Sequence, residues 1–534
     1  MDGKPDRGAD FAVIGAGLAG LAAALGLSAA GADVTVFEAR ERVGGRVESA
    51  PRPPAEAPPL VLDLGAQWVG PGQTRILSLI EELGLHLDAA DTPGRTLWGI
   101  SGELKQGGAT LPPLPPLALA EVLASAALLT LMSKSIQPEA PWKALRARQW
   151  DRISLHDWIN RHLRTAAGRE FARILVRADA ALEPAETSLL GILFDLRSIG
   201  PVRNLGTAEA FRVREGTHEI ARRLAERLGG KIRLAEPVRA IAQDADGVTV
   251  ETDASALRCR RAVVCVPPPL SRQISYTPAL PDARSRLLAG LEMGATVKFH
   301  AVYRRPFWRD RGLSGQALVG SGTIGLTYDN SPDDGTGRGV LVGFAVADAA
   351  RALGQLDSAA QGRELRSSLG RLFGPEGAAP EAIVIKDWGA EEWTGGCYAA
   401  HFPVGGWTSY GGAFREPCGR IHWAGTETAS EWHGYMEGAI RSGDRAASEM
   451  LHADAAVAGG GVPPQVTRHR IWLRTKQPAE SSSAWLSSLT THSPFQCRRR
   501  RHGTSCLTLS GSPRACLVPA SRRSPMTAMR SKAR

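Results

Sequence analysis

The chain has 534 residues, enough for two or three domains, and 43% of them are hydrophobic, which excludes a wholly disordered protein. Its 59 glycines follow no three-residue period, which excludes a collagen-like chain. The net charge of +10 belongs to the C-terminal end, because 14 of the 64 basic residues but only 2 of the 54 acidic residues lie from His452 onward. The preceding part is nearly neutral, so a nucleic-acid-binding body is not indicated.

The N-terminal residues and the cysteines indicate the cellular compartment in which the protein is expected. The first ten residues lack the apolar stretch of a signal peptide, and the seven cysteines form no disulfide framework, so we expect a cytoplasmic protein. The longest apolar segment, residues 117–132, is interrupted by Glu121, Ser125 and Thr130. It is shorter than the roughly 18 residues of a membrane span. We therefore expect a buried or amphipathic helix there and no membrane span.

The chain opens with the pattern of a βαβ unit. Residues 11–14 are a short apolar strand, residues 18–30 are rich in Ala and Leu like a buried helix, and residues 33–38 alternate like a second strand. Gly31 is suited to end the helix.

Weaker patterns follow. Residues 61–65 resume the strand pattern, and residues 75–85 are predicted to be helical. After the proline-rich residues 111–116, apolar residues at three-to-four spacing predict several helices up to about Ser198. This stretch is a candidate second domain.

The second half returns to strand and helix patterns. Residues 217–228 are predicted to be helical, and residues 231–235, 247–251 and 261–266 are predicted strands. Residues 296–303 alternate like a strand of another sheet, with Lys298 on the face opposite Val297 and Phe299. Residues 434–451 form the last predicted helix, and we expect disorder from about residue 453, where the composition shifts to Ser, Arg, Pro and Gly.

Three glycines after the first strand form a dinucleotide-binding pattern. Gly15, Gly17 and Gly20 would let the backbone approach a pyrophosphate, whose charge the following helix N-terminus stabilises. Glu38 lies 18 residues after Gly20, where an acidic residue would hold ribose hydroxyls. The pair Gly44-Gly45, flanked by arginines, suits a second approach to the phosphates.

Residues 38–46, with their Glu-Ala-Arg and Gly-Gly-Arg patterns, resemble the FAD-binding amine oxidase family. The resemblance sharpens at residues 394–398 (TGGCY), 424–428 (AGTET) and 432–439 (WHGYMEGA), which are similar to the monoamine oxidase family, and it extends from residue 11 to residue 451. It implies an α/β fold, with a Rossmann-like FAD-binding domain interleaved with an α+β substrate domain. We assign residues 8–90, 205–295 and 390–452 to the FAD-binding domain, residues 91–204 and 296–389 to the substrate domain, and residues 453–534 to a basic tail.

The resemblance implies roles for four residues. Cys397 would attach the flavin through a thioether, Tyr398 and Tyr435 would flank the substrate amine, and Lys298 would hold a water near flavin N5. Each has an ordinary alternative: a small buried cysteine, core tyrosines, and an exposed strand lysine. A buried lysine with a lowered pKa would assist proton movement when oxygen reacts.

The resemblance also implies a wider contact set. The residues expected to bind FAD are Gly15, Gly17, Ala19, Gly20, Glu38, Ala39, Arg46, Gly65, Gln67, Val238, Trp388, Cys397, Gly425, Glu427 and Met436. Leu326 and Phe344 would line the substrate tunnel, with apolar core as the alternative. Glu209 stands where many relatives carry glutamine, so a second cationic group on the substrate is plausible if it faces the cavity.

The expected activity is oxidation of a primary amine, with hydride transfer from the α-carbon to FAD giving an imine, then an aldehyde, and with oxygen reduced to hydrogen peroxide. The alternatives are an L-amino-acid or polyamine oxidase of the same fold, or a flavin-bearing binding protein whose basic tail engages nucleic acid. The tail offers few aromatic side chains for stacking on bases. No metal-binding motif occurs, and the sequence leaves the oligomeric state open, a homodimer included.

Overall fold

The computed structural model describes residues 6–50, 60–90, 92–109, 112–200 and 206–457. Its strands, in chain order, are β1 (Asp6–Arg7), β2 (Phe11–Ile14), β3 (Val34–Phe37), β4 (Trp68–Val69), β5 (Leu87–Ala89), β6 (Arg95–Ile100), β7 (Glu103–Gly107), β8 (Phe211–Val213), β9 (Ile232–Arg233), β10 (Val238–Gln243), β11 (Val248–Thr252), β12 (Ala256–Cys259), β13 (Arg261–Val264), β14 (Ser275–Thr277), β15 (Glu292–Met293), β16 (Thr296–Tyr303), β17 (Leu313–Val319), β18 (Leu326–Asp329), β19 (Gly339–Val346), β20 (Ala382–Asp387), β21 (Ala400–His401) and β22 (Ile421–Trp423).

The α-helices, in the same order, are α1 (Leu18–Ala29), α2 (Thr74–Glu82), α3 (Pro116–Ser133), α4 (Ala147–Asp151), α5 (Leu155–His162), α6 (Ala166–Ala180), α7 (Leu189–Ile199), α8 (His218–Leu228), α9 (Pro268–Ser271), α10 (Asp282–Gly290), α11 (Phe307–Asp310), α12 (Asp348–Gly354), α13 (Ser358–Phe373), α14 (Gly406–Tyr410) and α15 (Met436–Val457). The helices predicted between residues 117 and 198 are confirmed as a run from α3 to α7.

A parallel sheet carries the N-terminal glycine turn. Its strand order is β22-β13-β2-β3-β9, and every neighbouring pair is parallel. The sheet lies between apolar layers on both faces, which explains why β2 and residues 262–264 of β13 are continuous apolar runs without alternation. With α1 connecting β2 to β3, the predicted βαβ unit is confirmed.

Helix α1 is buried almost all round because α15 packs along it. Ten of the twelve residues of α1 are buried. The approach is close: a Cβ atom on Gly443 of α15 would lie 2.2 Å from the carbonyl oxygen of Ala19. The last described helix therefore completes the packing of the first one.

A second, seven-stranded sheet has the order β20-β16-β19-β18-β17-β6-β7. Strand β16 spans the predicted residues and pairs antiparallel with both β19 and β20. All eight of its residues are buried, so both of its faces are covered. Val297 and Phe299 face an apolar cluster, and Lys298 is only 2% exposed, which excludes the alternative of a surface lysine.

The two sheets draw on different stretches of the chain. The strands of the parallel sheet lie within residues 11–37, 232–233, 261–264 and 421–423, whereas those of the seven-stranded sheet lie within residues 95–107 and 296–387. All of these residues belong to one compact unit. The domain boundaries assigned from the sequence stay predictions.

The strand predicted at residues 61–65 is absent, since this segment makes only an isolated bridge between Ser49 and Asp63. The buried Asp63 carboxylate accepts hydrogen bonds from the Ser49 hydroxyl and from the backbone N–H and hydroxyl of Thr217. These bonds are the physical reason that the segment is held in place without pairing to a neighbouring strand.

One further prediction needs correction. Helix α15 runs to Val457, so the start of the tail at residue 453 is too early; the rest of the predicted tail lies outside the described residues.

The helix predicted at residues 117–132, as buried or amphipathic, is α3, which has 18 residues and is long and apolar enough to pass as a membrane span by length and composition. Only Ala118, Ser125 and Ser133 are buried, because only one narrow side of the helix packs on α6 and α7.

Candidate active site

The glycine turn after β2 is shaped by close backbone contacts. Gly15 has φ +101°, and a Cβ atom there would lie 3.3 Å from the backbone of Cys265. A Cβ atom on Gly20 would lie 1.9 Å from the carbonyl oxygen of Gly15. Gly17 precedes α1 and offers no side-chain cap, so the first N–H groups of the helix remain available to an anion.

Glu38 lies beside this turn, at the end of β3. Its carboxylate accepts hydrogen bonds from the backbone N–H of Ala16, at 2.7 Å, and of Arg40, at 3.0 Å. These two bonds fix both oxygens and leave lone pairs free for hydroxyl donors. The arrangement of anion-binding turn and oriented carboxylate fits the pyrophosphate and ribose of a dinucleotide such as FAD.

Gly44 and Gly45 close the turn from the other side. Gly44 has φ +102° and donates a backbone hydrogen bond to Ala16 at 2.8 Å. A Cβ atom on Gly44 would lie 2.6 Å from the carbonyl oxygen of Val47. The glycine pair thereby brings Arg46 to the wall of the cavity described below.

Arg46 forms a two-bonded ion pair with Glu427. The guanidinium donates to the two carboxylate oxygens at 2.6 and 3.0 Å, and also to the carbonyl oxygen of Tyr398 at 2.9 Å. Glu427 also accepts a hydrogen bond from the Ala400 backbone at 3.2 Å. Burial acts to raise the pKa of Glu427, but the guanidinium charge and its hydrogen bonds outweigh burial and hold that pKa below its usual value.

Lys298 projects from β16 toward the same region. Its ammonium group donates to the carbonyl oxygen of Gly65 and to the side-chain oxygen of Gln67, both at 2.8 Å. It also lies 5.4 Å from the ring centres of Trp68 and Phe344. Burial lowers the pKa of Lys298 to about 7. The side chain can therefore gain or lose a proton near neutral pH.

Cys397 and the aromatic side chains form the adjoining wall. Cys397 is buried, and burial raises the pKa of its thiol to about 12. The ring of Tyr398 packs edge-on against Phe344 with centres 6.4 Å apart. Burial also raises the pKa values of Tyr398 and Tyr435, so both phenols are neutral at physiological pH.

One continuous cavity collects nearly all the predicted site residues. Its lining includes Lys298, Tyr398, Tyr435, Gly15, Gly17, Ala19, Glu38, Ala39, Arg46, Gly65, Gln67, Val238, Trp388, Cys397, Gly425, Met436, Glu209, Leu326 and Phe344. Two predicted contacts are not part of the wall. Gly20 packs against the backbone of Gly15, and Glu427 is 1% exposed behind Arg46. Gly20 and Glu427 therefore lie outside the wall and contact the wall residues Gly15 and Arg46.

Three carboxylates share one region of this cavity, and sequence reasoning found only Glu209. Asp179, at the end of α6, and Asp195, in α7, also line it. Asp195 contacts His433 Nδ1 at 3.0 Å. The Asp179 carboxyl is accessible from the cavity but enclosed by protein, and this burial, with the charges of Asp195 and Glu209, raises its pKa to about 7. No local motif marks Asp179 or Asp195, because helix packing alone brings them together.

The comparisons with known proteins agree with this geometry. Residues 18–451 match the family model described as flavin containing amine oxidoreductase. The chain is 33% identical over 489 residues to "Amine oxidase [flavin-containing] A" of Canis lupus familiaris, covering 87% of this chain and 91% of that protein. It is 35% identical over 460 residues to "L-amino acid dehydrogenase" of Synechocystis sp., covering 84% and 96%. A solved structure of wild-type putrescine oxidase bound to putrescine is similar with a TM-score of 0.79 and 33% identity, over 83% of this chain and 99% of that one.

Proposed function

The chain belongs to the family of flavin-containing amine oxidoreductases and is an FAD-dependent amine oxidase, and from this we propose that it oxidises primary amines in the cavity lined by Lys298, Tyr398 and Tyr435. The observation that carries the proposal is the convergence of these side chains with Cys397 and the glycine turn in one cavity. When bound, FAD would supply the acceptor for a hydride from the α-carbon of the amine and the electrons for reduction of oxygen, so the products would be an imine, which water hydrolyses to an aldehyde, and hydrogen peroxide.

The described residues include groups suited to several parts of this cofactor. The turn at Gly15 and Gly17 would receive the pyrophosphate, and Glu38 would accept hydrogen bonds from ribose hydroxyls. Arg46 is held in place by its ion pair and by the Tyr398 carbonyl. This guanidinium would remain a fixed positive charge beside the cofactor, since Glu427 accompanies it in the folded protein.

The aromatic side chains orient the substrate. Because burial keeps the phenols of Tyr398 and Tyr435 neutral, their ring faces and edges remain available to the amine nitrogen. Leu326 and Phe344 are buried and line the cavity, so they would exclude water around the substrate's carbon skeleton. Lys298 holds Gly65 and Gln67 by hydrogen bonds and presents an ammonium group that can donate a proton.

The charge of the cavity favours an amine over an amino acid. Asp195, Glu209 and the ionised fraction of Asp179 line the wall near the tyrosines and would repel a substrate carboxylate. Arg46, the guanidinium near Tyr398, is already paired with Glu427. We therefore expect peroxide production with tyramine and little with tyrosine, measured with a peroxidase-coupled assay on the purified protein. Turnover of tyrosine but not of tyramine would contradict the proposed function and favour the amino-acid oxidase alternative.

Attachment of the flavin through Cys397 is part of the proposal. The thiol is buried in the cavity wall, and Gly395 and Gly396 before it both have positive φ, at +71° and +148°, which side chains rarely adopt. We expect flavin absorbance to remain with the acid-denatured wild-type chain and to be released from the Cys397→Ala variant. The matched control is Cys265→Ala, which removes a half-buried cysteine of the same cavity wall and should keep the colour on the chain. Release of the flavin from the acid-denatured wild-type chain would contradict covalent attachment and show that the cofactor is bound non-covalently.

The acidic wall supports a finer proposal, that the preferred substrate carries a second cationic group. Glu209 and Asp179 lack positively charged partners among the described residues, so a distal ammonium could pair with them. We expect the combined Asp179→Asn and Glu209→Gln variant to lower the ratio of kcat/KM for a diamine to that for tyramine by about tenfold or more. An unchanged ratio would contradict the proposed second cationic group of the substrate, but it would not contradict the proposed oxidation of amines.

A further inference from the structure

The solvent side of α3 consists of apolar residues. The exposed residues of the helix are Pro116, Leu117, Ala120, Leu123, Ala124, Ala126, Ala127, Leu128 and Leu131. Leu117 and Leu131 are 65% and 64% exposed, so leucine side chains project well into solvent at both ends of the helix. A contiguous apolar surface of this kind marks an interaction site when none of the described residues covers it. We call these nine residues the α3 face.

The opposite side of α3 is fixed to the protein. Ala118, Ser125 and Ser133 are buried, and Val122 and Leu129 pack on a large apolar cluster. The helix therefore lies flat along the molecular surface, and only the α3 face can meet a partner.

The single charged residue of the helix is held toward the protein. The Glu121 carboxylate accepts hydrogen bonds from the Thr165 backbone at 3.0 Å, from the Thr165 hydroxyl at 2.7 Å and from the Arg164 backbone at 3.2 Å. These bonds occupy both of its oxygens and hold the negatively charged carboxylate at the N-terminus of α6, where backbone donors stabilise it. Entry of the α3 face into an apolar medium therefore leaves no hydrogen-bond acceptor of Glu121 unsatisfied.

Exposed basic residues follow the C-terminal end of the helix. Lys134 comes directly after α3, and Lys143, Arg146 and Arg148 surround a fully exposed leucine, Leu145. This segment stays near the helix because Trp142 and Ala144 pack on the same cluster as Met132. The apolar face is thus accompanied by positive charge.

The size of the α3 face argues against a second copy of this chain as its partner. An 18-residue helix is about 27 Å long, and with a width of about 10 Å one side covers roughly 270 Å². A stable dimer interface buries about 800 Å² on each partner. The α3 face alone is too small for that, whereas one apolar side of a single helix is what a helix lying in a lipid interface inserts.

From the apolar face, the hydrogen-bonded glutamate and the basic flank, we propose that α3 docks this protein on the surface of an anionic lipid bilayer. The helix lies parallel to the membrane plane, with its leucines among the acyl chains. The ammonium and guanidinium groups of Lys134, Lys143, Arg146 and Arg148 lie at the level of the phosphates. This inference is independent of the substrate of the enzyme.

The test is co-sedimentation of the full-length, flavin-loaded protein with vesicles. We expect binding to vesicles of phosphatidylcholine with 30% phosphatidylglycerol (a probe composition of roughly physiological anionic content), and weaker binding to phosphatidylcholine alone or at high salt. The variant Leu123→Glu/Leu131→Glu should reduce the partition coefficient for the anionic vesicles about tenfold or more. The matched control, Leu234→Glu/Leu356→Glu, changes two leucines of similar exposure elsewhere and should bind like the wild type.

Three outcomes would overturn the proposal. The first is a wild type that fails to bind anionic vesicles at all. The second is a Leu123→Glu/Leu131→Glu variant that binds them as well as the wild type, which would place the lipid contact outside α3. The third is a dimer, detected by light scattering, that this variant alone converts to a monomer, which would make the α3 face an interface between copies. Flavin absorbance and amine turnover of each variant report whether it is folded.

Discussion

Replacing Glu427 with glutamine is expected to lower the free energy of unfolding by about 3 to 5 kcal/mol, because it leaves the Arg46 guanidinium without its counter-charge in an enclosed site. Since the pKa of Glu427 is held below its usual value, the carboxylate is charged throughout the neutral range. Its contribution is present above the unfolded pKa and is lost only as the pH falls through the lowered folded pKa. The difference between variant and wild type should therefore be constant from about pH 6 to pH 8.

Chemical denaturation measures this difference, with the flavin content of each variant recorded, because a bound cofactor adds to stability. The matched control is Glu226→Gln, which removes a carboxylate paired with Arg222 on the exposed side of α8. Such surface pairs contribute about 1 kcal/mol or less. Equal effects of the two substitutions would contradict the buried-pair interpretation. The double variant Arg46→Met/Glu427→Leu should be more stable than Glu427→Gln, because no uncompensated charge remains.

Replacing Lys298 with methionine is expected to slow the reaction with oxygen by about 100-fold or more. Burial lowers the pKa of Lys298 to about 7, so the side chain is an ammonium group below that pH and a neutral amine above it. Only the ammonium form supplies both a proton and a positive charge to the reduction of oxygen. The rate of this step in the wild type should therefore fall as the pH rises through about 7.

Stopped-flow measurement can follow the two halves of the reaction separately. We expect Lys298→Met to lose the pH dependence of the oxygen step, while reduction by amine in the absence of oxygen changes much less. The Lys298→Arg variant keeps a positive charge at all accessible pH values and should lose the dependence while retaining more of the rate. A wild-type oxygen step that is independent of pH between 6 and 8 would contradict the role given to Lys298.

The parts of the fold that sequence reasoning predicted are those encoded in short continuous segments. The Gly15, Gly17 and Gly20 turn, Glu38 and the strand containing Lys298 each depend on neighbours a few residues away, so periodicity and spacing were sufficient. Residues 61–65 show the limit of that reasoning. Their apolar pattern suits a strand, but hydrogen bonds to the buried Asp63 from distant parts of the chain hold them in another conformation.

The parts that could not be predicted depend on tertiary packing. Asp179 and Asp195 lie on different helices, and nothing local to either residue indicates that they meet Glu209 in one cavity. Helix α3 illustrates the same limit at the surface. Its composition is that of a buried helix, but whether α6 and α7 cover one side of it or all sides is decided by the rest of the fold.

The packing of α15 on α1 also sets an order of events during synthesis. The apolar surface of α1 leaves the ribosome more than 400 residues before α15 and β22 are complete. At roughly 5–20 residues per second, the nascent chain carries that uncovered surface for about 20 to 80 s. During this interval the N-terminal helix is a target for chaperones, and a transcript cut short before residue 436 yields a product that cannot cover it. Quality control of this protein therefore begins at its first helix.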